Sequence, residues 1–532
     1  MRLKIYIIAA VLGVFAVGTS CNKYLDEIPD NRTEITSGED IAKLLVNAYP
    51  EVSPVLAHEY MSDNYTDNGR LYAYSPYSNL PEQFYKFREE ITEINQDSPH
   101  YIWLVYYRAI AHANKALESI AELGGGAEYN AYKGEALLCR AYAHFMLANV
   151  FCNSYDSRFA TQLYSGVPYA IESETIVEKS YHKDTLEETY AKIEKDLLEG
   201  LPLLDDTKYA QKAYHFTRAA ASAFASNFYL FYSKHEDAEI RRTRLENVIN
   251  YSTVAVGAVA NRDLAAISAM SNTDMMCQQW ISASEPSNLL LLAYSSRFGR
   301  CYTSSLRLGM PSVLNDIVGM GSSGPWGGRF QGTRGLIYQI SGLVIFTPKS
   351  EEFFVASTPG GNTGMIYIVA LAMTKEKALL NRAEAKVLLG DMDGAASDLS
   401  AWYTVWQAAP VSKTKDEIIN WYKTAHTLLR PSINAIGTEN ITGDEATLNM
   451  LYAVLHARRI ETMHEGARIF DLRRYAIGYE HAIDGEESIL VNQPGSTYFN
   501  PASVSHDLRL TLQLPQMVLE KAPAYWKNPR AL

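Results

Sequence analysis

The sequence predicts a mostly α-helical protein with one irregular, loop-rich lobe. Alanine-rich segments with apolar residues at helical spacing recur along the chain, a pattern typical of packed helices. Short turns, such as Gly390 to Gly394, join several of these segments in pairs, and such pairs build tetratricopeptide-like scaffolds. Between residues 270 and 365, β-prone pieces alternate with glycine-rich loops, which predicts a different local structure there.

Sequence signals for the starts and ends of helices predict where the individual helices lie. The first helix is expected near Ile41, and Thr185 and Glu188 have the spacing of a capping box that opens another. Three consecutive glycines from Gly124 form a strong stop. The remaining helices are predicted over Tyr101–Leu123, Ala131–Phe151, His215–Lys234, Thr374–Leu389 and Ala395–Trp406.

The domain organisation follows from the same signals. We expect a single body over residues 41–532, with a helical scaffold over about 41–260 and 366–532 and an irregular ligand lobe over about 261–365. Short strands are predicted from Leu289 to Tyr294 and from Leu336 to Phe346. Residues 21–40 are polar and are expected to form a tether.

The first twenty residues have the layout of a secretory signal. A short positive flank precedes an apolar run from Ile5 to Val17, which is shorter than the roughly 20 residues of a membrane-spanning helix. Three small or polar residues then lead to Cys21, where a bacterial lipoprotein carries its lipid. We expect cleavage before Cys21 and lipid attachment to it; the alternative is an ordinary signal peptide with an incidental cysteine.

The composition of the chain restricts the kinds of molecule that it is expected to bind. The chain has 48 Lys and Arg against 60 Asp and Glu, a net charge of −12, and no basic tract, so nucleic acid is not an expected partner. Four further cysteines follow Cys21 without a Cys-x-x-Cys pair, which argues against a zinc ribbon and against a disulfide framework. We expect most of these cysteines to be small buried residues.

One glycine-rich stretch resembles the motif that binds a dinucleotide cofactor. Gly319 to Gly324 matches G-x-G-x-x-G, but a dinucleotide site needs a helix directly after that motif. Pro325 and further glycines follow instead, so no helix is expected to begin there. The sequence also lacks a G-x-S-x-G motif and a P-loop. No cofactor is therefore expected.

Two other stretches resemble metal sites only in part. His464 begins a sequence like that of a zinc-protease helix, but Arg468 stands where the second histidine would be. The stretch from Asp63 to Gly69 resembles part of a calcium loop, but Tyr74 occupies the twelfth position in place of glutamate. No metal site is expected at either place.

A charged motif near the C-terminus could be mistaken for a catalytic one. Glu461 and Glu465 are four residues apart and could mimic a glycosidase carboxylate pair. Arginines surround both, however, and opposite charges at helical spacing usually form structural ion pairs. We therefore expect no catalytic site and a structural ion-pair motif made of Arg458, Arg459, Glu461, Glu465, Arg468, Arg473 and Arg474.

Three stretches together resemble the SusD/RagB family, surface lipoproteins of Bacteroidetes-type bacteria. Residues 21–29 (CNKYLDEIP) are similar to the family's start at its lipid-bearing cysteine. Residues 134–145 (GEALLCRAYAHF) are similar to one of its helices. Residues 458–474 (RRIETMHEGARIFDLRR) resemble its C-terminal arginine–glutamate motif, which is the most specific of the three.

This resemblance implies a mostly helical fold with four tetratricopeptide-like pairs and a non-catalytic activity. The expected activity is the capture of a nutrient, usually a glycan, by a lipid-anchored protein on the outer surface of the outer membrane. The implied partner is a TonB-dependent, SusC-like transporter that the protein covers like a lid. A peptide-capturing member of the family is the main alternative, and a glycoside hydrolase or a purely structural surface protein are the others.

Ligand residues must be sought in the loops, because the matched motifs belong to the scaffold. Sugar rings stack their C–H faces on aromatic rings while polar side chains hold their hydroxyls. Trp326 lies among glycines that would let its ring protrude; the alternative for each aromatic candidate is a buried ring. The candidates are Tyr65, Asn68, Tyr72, Tyr74, Tyr77, Trp280, Trp326 and Arg329.

Overall fold

The protein is described here from a computed structural model that covers residues 35–532 except 90, 174–180, 259–261, 271, 303–305, 320–322, 331–335, 341–342, 347–348 and 436–438. The signal sequence, Cys21 and most of the expected tether lie outside the described residues. Helices dominate the described part of the chain, and the strands are short and few. The prediction of a mostly α-helical fold is therefore confirmed.

The helices before residue 260 begin and end close to their sequence signals. The capping box is confirmed, since the Thr185 hydroxyl accepts from the Glu188 N–H and the Glu188 carboxylate accepts from the Thr185 N–H. These helices are α1 (Gly38–Val46), α2 (Val55–Tyr60), α3 (Leu80–Tyr85), α4 (Pro99–Glu122), α5 (Asn130–Phe151), α6 (Ser157–Ala160), α7 (Leu186–Gly200), α8 (Arg218–Tyr232) and α9 (Ala238–Val256).

The later helices begin with four short ones around the strands and continue with a second group of longer ones and three further short ones. They are α10 (Leu264–Ser268), α11 (Thr273–Trp280), α12 (Phe298–Tyr302), α13 (Ser312–Ile317), α14 (Lys375–Leu389), α15 (Met392–Gln407), α16 (Lys415–Lys423), α17 (Glu439–Thr442), α18 (Glu445–Glu461), α19 (Arg468–Arg474) and α20 (Gln516–Leu519). Single 3-10 turns lie at Ala127–Tyr129, Leu201–Leu203, Asp206–Lys208, Lys212–Tyr214, Thr427–Leu429, Leu508–Leu510 and Ala524–Trp526.

The long helices pack as pairs of sequence neighbours. Helix α4 packs against α5, α8 against α9, and α14 against α15, while α16 packs against α18 with only the short α17 between them in the sequence. Helix α14 also contacts α8, α9 and α18, so it joins the early and late pairs into one scaffold. Helix α5 is buried around nearly its whole circumference, as expected of a helix in the middle of such a scaffold.

The strands form small antiparallel sheets. A three-stranded sheet has the order β2 (Asn288–Ser295), β7 (Gly364–Thr374), β6 (Glu352–Ala356), which leaves β6 at its edge. Strand β7 runs directly into α14 and so attaches this sheet to the scaffold. The two-stranded pairs are β1 (Thr66–Asp67) with β3 (Leu308–Gly309), β4 (Ile337–Ile340) with β5 (Leu343–Phe346), and β8 (Tyr479–His481) with β9 (Ile489–Val491).

The main hydrophobic core runs through both the helices and the three-stranded sheet. Its largest fully buried side chains include Trp280, Trp402 and Trp406. Cys139, Cys152, Cys277 and Cys301 are free and buried, as the sequence predicts. Within the described part of the chain, no helix has the length and apolar character needed to cross a bilayer.

Candidate ligand-binding surface

The loop of residues 62–81, called the tyrosine loop below, is fixed at its start by the C-terminal arginine motif. Arg468 contacts the Asp63 carboxylate at 2.8 and 3.0 Å, and Arg459 contacts it at 3.2 Å. Burial by itself would raise the pKa of Asp63, but the two guanidinium groups outweigh it and lower that pKa to about 2. The carboxylate therefore stays ionised. Its ion pairs connect Asp63, in the early part of the chain, with Arg459 and Arg468, in the late part.

A second clamp holds the middle of the loop. Strand β1 of the loop pairs with β3, and the Arg307 guanidinium contacts the Asp67 carboxylate at 2.8 and 2.6 Å. The backbone of Arg307 also accepts from Asn68 N–H and donates to the Ala73 carbonyl, both at 2.8 Å. Gly69 lies between these contacts with φ of +95°, a conformation that favours glycine.

Two tyrosines of the loop are stacked against cations. The Arg307 guanidinium lies 4.7 Å from the ring centre of Tyr74, and Arg300 lies 5.1 Å from that of Tyr77. Such cation–π contacts fix the plane of a ring. The Tyr77 side chain nevertheless remains 46% exposed, so part of a well-oriented aromatic ring faces solvent.

The edge strand β6 lies next to this ring. Glu352, its first residue, forms an ion pair with Arg300 at 2.7 Å, which connects β6 with Tyr77 through one guanidinium. Phe353 and Phe354 follow and are 41% and 52% exposed, and Phe353 stacks on the Tyr367 ring at 5.8 Å. Phe353 points to the opposite face of the sheet from Glu352, whereas Phe354 shares the face of Glu352. We use "tyrosine surface" for the exposed area formed by Tyr74, Tyr77, Arg300, Arg307, Glu352 and Phe354.

The sequence reasoning missed the arginines and the strand residues of this surface. Arg300 and Arg307 have no motif around them, and Glu352-Phe353-Phe354 reads as the start of a buried strand. The available signal was a run of consecutive aromatic residues beside a carboxylate in a short strand. That signal becomes informative only once β6 is known to lie at a sheet edge.

The remaining loop candidates are partly covered. Tyr72 is half-buried. Asn68 is also half-buried, but its side-chain nitrogen is fully shielded from solvent and has no hydrogen-bond partner among the described residues. A shielded amide donor without a partner is uncommon in native structures. Because this nitrogen is shielded, a ligand on the surface of the loop does not reach it in this side-chain conformation.

Two aromatic candidates lie in the interior. Tyr65 is 4% exposed, and its hydroxyl is 3.2 Å from Nδ1 of His464. Trp280 is 1% exposed, and its ring is flanked by the cationic groups of Arg262 and Lys349, each 4.8 Å from the ring centre. Neither ring presents a face to solvent for stacking.

Trp326 is also buried, so the expectation that its ring protrudes is wrong. It stacks on Phe330 at 4.4 Å and lies 5.2 Å from the Tyr403 ring of α15. Gly327 and Gly328 have positive φ values and turn the backbone so that the ring points into the core. Arg329 remains partly exposed, with a nitrogen 3.5 Å from the Asp316 carboxylate.

The carboxylates that could mimic a glycosidase pair are engaged in interior contacts. Glu461 accepts hydrogen bonds from the indoles of Trp402 and Trp406 at 3.0 and 2.9 Å, and burial raises its pKa. Glu465 contacts Lys349 and Lys377 at 2.7 and 2.6 Å. Burial favours a higher pKa for Glu465, but the two lysines outweigh it and lower that pKa.

The other charges of the motif have partners from separate elements. Arg458 and Arg474 share the fully buried carboxylate of Glu384 on α14. Arg473 donates to Nε2 of His506 and to the carbonyls of Asn149 and Cys152. The preceding Gly466 has φ of +71°, and a Cβ there would lie 2.9 Å from the Val55 backbone, so the turn between α18 and α19 requires glycine.

One cluster has atoms suited to metal binding, although its members are already engaged. Ligand atoms of His182, Asp184 and Glu188 lie within 4.8 Å of one another. The Lys192 ammonium contacts Asp184 at 2.7 Å, and Glu188 completes the capping box of α7. Both carboxylates therefore have partners within the protein and do not require a metal ion.

The chain matches two family models over most of its length. A model described as "Starch-binding associating with outer membrane" matches residues 23–230. A model described as "SusD family" matches residues 377–530. The second match includes the arginine motif, and the first includes the tyrosine loop.

Solved structures with the same fold cover nearly the whole chain. A SusD-like carbohydrate binding protein from Bacteroides vulgatus is 17% identical and has a TM-score of 0.57, with 91% of this chain and 96% of that chain covered. A SusD superfamily protein from Bacteroides fragilis is also 17% identical and has a TM-score of 0.60, with 91% and 98% covered. A SusD superfamily protein from Bacteroides vulgatus is 16% identical, with a TM-score of 0.60 and coverage of 94% and 100%.

Among curated proteins, none matches the chain significantly. The two family models nevertheless agree with each other and follow the order of the motifs in the sequence. The solved structures agree in fold over more than nine-tenths of the chain. The chain therefore belongs to the SusD/RagB family.

Proposed function

We propose that this protein is a surface lipoprotein that binds an oligosaccharide without cleaving it and passes it to a TonB-dependent transporter of the outer membrane. The observation that carries the proposal is the exposed, cation-oriented ring of Tyr77, which the Arg300–Glu352 ion pair connects with the face of β6 that carries the exposed Phe354. Family membership supports it, since one matching model describes starch-binding proteins associated with the outer membrane.

The chemistry of the tyrosine surface suits a sugar. Tyr77 and Phe354 offer ring faces for the C–H groups of pyranose rings. The Arg300–Glu352 ion pair lies beside them and supplies donors and acceptors for hydroxyls. Apolar faces with polar groups at their edges are the usual composition of a carbohydrate site.

A Tyr77→Ala substitution tests this surface. Loss of the stacking ring should weaken oligosaccharide binding by about 1 kcal/mol, or roughly fivefold. Tyr77→Phe keeps the ring and should bind nearly as well as the native protein. The matched control is Tyr214→Ala, because Tyr214 is 47% exposed on a separate 3-10 turn. An unchanged dissociation constant for Tyr77→Ala in isothermal calorimetry would remove the ring from the site.

A peptide ligand is the second candidate, and the position of β6 favours it. Edge strands have backbone groups on one side without a neighbouring strand, and an extended peptide can pair with them. The exposed Phe353, Phe354 and Val355 would then provide the side-chain contacts. A peptide held in this way depends on backbone hydrogen bonds more than on the Tyr77 ring, so Tyr77→Ala would affect it less than it affects a sugar.

The proposed anchor on Cys21 would keep the captured ligand near its transporter. In a Cys21→Ser variant we expect the protein to move from the membrane fraction to the soluble fraction, because no acyl chain can be attached. Cys301→Ser, which removes a buried free cysteine and keeps Cys21, should stay in the membrane fraction. Cell fractionation followed by immunoblotting measures the distribution, and membrane-bound Cys21→Ser protein would contradict the anchor.

A further inference from the structure

A cavity that is separate from the tyrosine surface lies between the segment around α3 and the C-terminal segment. It has a volume of about 510 Å³, within the range of small-molecule sites. Its rim includes the exposed Arg88, Thr92, Gln516 and Lys527, so it opens to solvent. We call this cavity the C-terminal pocket; no residue of the tyrosine surface lines it.

Cations dominate the lining of this pocket although the whole chain is acidic. Arg88, Arg509, Lys527 and Arg530 line it together with a single carboxylate, Glu89. Lys527 is paired with Glu89 at 2.7 Å, and Arg509 is paired with Asp507 at 2.7 Å, just outside the lining. Arg88 on the rim and Arg530 within the pocket form no ion pair among the described residues, so these two groups supply the surplus positive charge.

Arg530 forms no direct ion pair with a carboxylate among the described residues, although the charges of Glu89 and Asp507 lie near enough to raise its pKa in part. Its hydrogen bonds go to the carbonyls of Thr511, Arg509 and Leu508, at 2.7, 3.2 and 3.4 Å. Its Nε atom is shielded from solvent and has no partner among the described residues. Burial lowers the pKa of the guanidinium to about 10, which means that an anion beside it would relieve an unfavourable environment.

The rest of the lining restricts the kind of anion. Phe84, Phe87, Leu514 and Leu519 provide apolar walls, which suit the C–H face of a ring better than a small inorganic ion. The side-chain oxygen of Gln83 is shielded and has no partner in the part of the chain that the structure describes, so it needs a donor such as a hydroxyl. A ring, a hydroxyl and a carboxylate together are the features of a sugar acid.

We propose that the C-terminal pocket binds a carboxylate-bearing sugar, with its carboxylate at Arg530 and Arg88, a hydroxyl at Gln83 and its ring on the apolar walls. This rests on the proposed function only in taking the ligand to be a carbohydrate. The protein would then hold an acidic oligosaccharide at two places, by a neutral ring on the tyrosine surface and by an acidic unit in the C-terminal pocket.

Calorimetry on the full chain tests the pocket with three probes: a galacturonic acid disaccharide, the corresponding neutral galactose disaccharide, and triglycine. The acidic disaccharide should bind at least tenfold more tightly than either other probe, and added salt should weaken it. Arg530→Gln, which keeps a donor for the carbonyls, and Arg88→Gln on the rim should each weaken it about tenfold. Arg242→Gln, on the exposed side of α9, is the matched control and should bind normally.

Three results would overturn the pocket proposal: equal binding of the acidic and neutral disaccharides, equally tight binding of triglycine, or unchanged affinity in both arginine variants. The thermal midpoint of Arg530→Gln shows whether the C-terminal segment still folds, and Arg88→Gln decides alone if it does not. If the native protein binds neutral glycans in a Tyr77-dependent way but does not bind the acidic disaccharide, this inference alone is refuted. The reverse pattern would refute the proposed function only.

Discussion

Replacing Glu384 by glutamine should lower the free energy of unfolding by about 3–5 kcal/mol, the usual cost of breaking a buried ion pair. The Glu384 side chain is fully buried and is shared by Arg458 and Arg474. The neutral amide would leave both guanidinium groups with the carboxylate of Asp471, which they contact at 3.2 and 2.8 Å. Urea denaturation followed by circular dichroism measures the change.

The control for this variant is Glu445→Gln. Glu445 begins α18 and pairs with Lys423 at 3.7 Å, with 70% of the Glu445 side chain and 41% of the Lys423 side chain exposed, so its loss should cost no more than about 1 kcal/mol. If Glu384→Gln also lowers the free energy of unfolding by no more than about 1 kcal/mol, the arginine motif contributes little to the stability of the fold.

The same carboxylate predicts a pH dependence. Burial alone would raise the pKa of Glu384, but Arg458 and Arg474 outweigh it and hold that pKa well below its usual 4.5. A depressed acid pKa stabilises the folded state above the unfolded value, and the stabilisation is lost as the pH falls below about 4.5. The native protein should therefore lose stability more steeply than Glu384→Gln between pH 5 and pH 3, and parallel curves would contradict this.

Trp326→Ala should also cost about 3–5 kcal/mol of stability, because it removes a large buried ring from a packed cluster. The Trp326 ring contacts Phe330, Tyr403, His456 and Trp402 at centre distances of 4.4 to 6.4 Å. Oligosaccharide affinity of the folded protein should change much less than it does in Tyr77→Ala.

Thermal denaturation and calorimetry on the same Trp326→Ala sample separate these two effects. Tyr214→Ala serves again as the control for removing an aromatic ring, here from the exterior, and should leave the thermal midpoint nearly unchanged. A stable Trp326→Ala protein that no longer binds sugar would reverse our assignment and make Trp326 a ligand contact.

Local signals in the sequence were sufficient for most of the helices. The helix predicted over Ala131–Phe151 begins one residue earlier in the structure, at Asn130, and the Thr185 capping box forms as expected. Caps, glycine stops and apolar spacing act within a few residues, so they can be read without knowing the fold. The helix predicted from His215 begins at Arg218 because Thr217 caps it.

Contacts between distant parts of the chain could not be read in this way. Arg468 pairs with Asp63, which is 405 residues away. No local motif near either residue indicates that the other is its partner. The burial of Trp326 likewise depends on Tyr403 and His456 from α15 and α18, whereas the flanking glycines suggested exposure. Tyr74 and Tyr77 lie on the tyrosine surface, but the arginines that orient them come from residues 300 and 307.

The measurement that tests the central proposal most directly is a calorimetric titration of the full chain with neutral oligosaccharides and, separately, with a peptide mixture. We predict saturable binding of at least one oligosaccharide, weaker in Tyr77→Ala and unchanged in Tyr214→Ala, with the sugar recovered intact afterwards. Binding of peptides alone would contradict the glycan proposal, and recovery of shortened sugar chains would contradict non-catalytic capture.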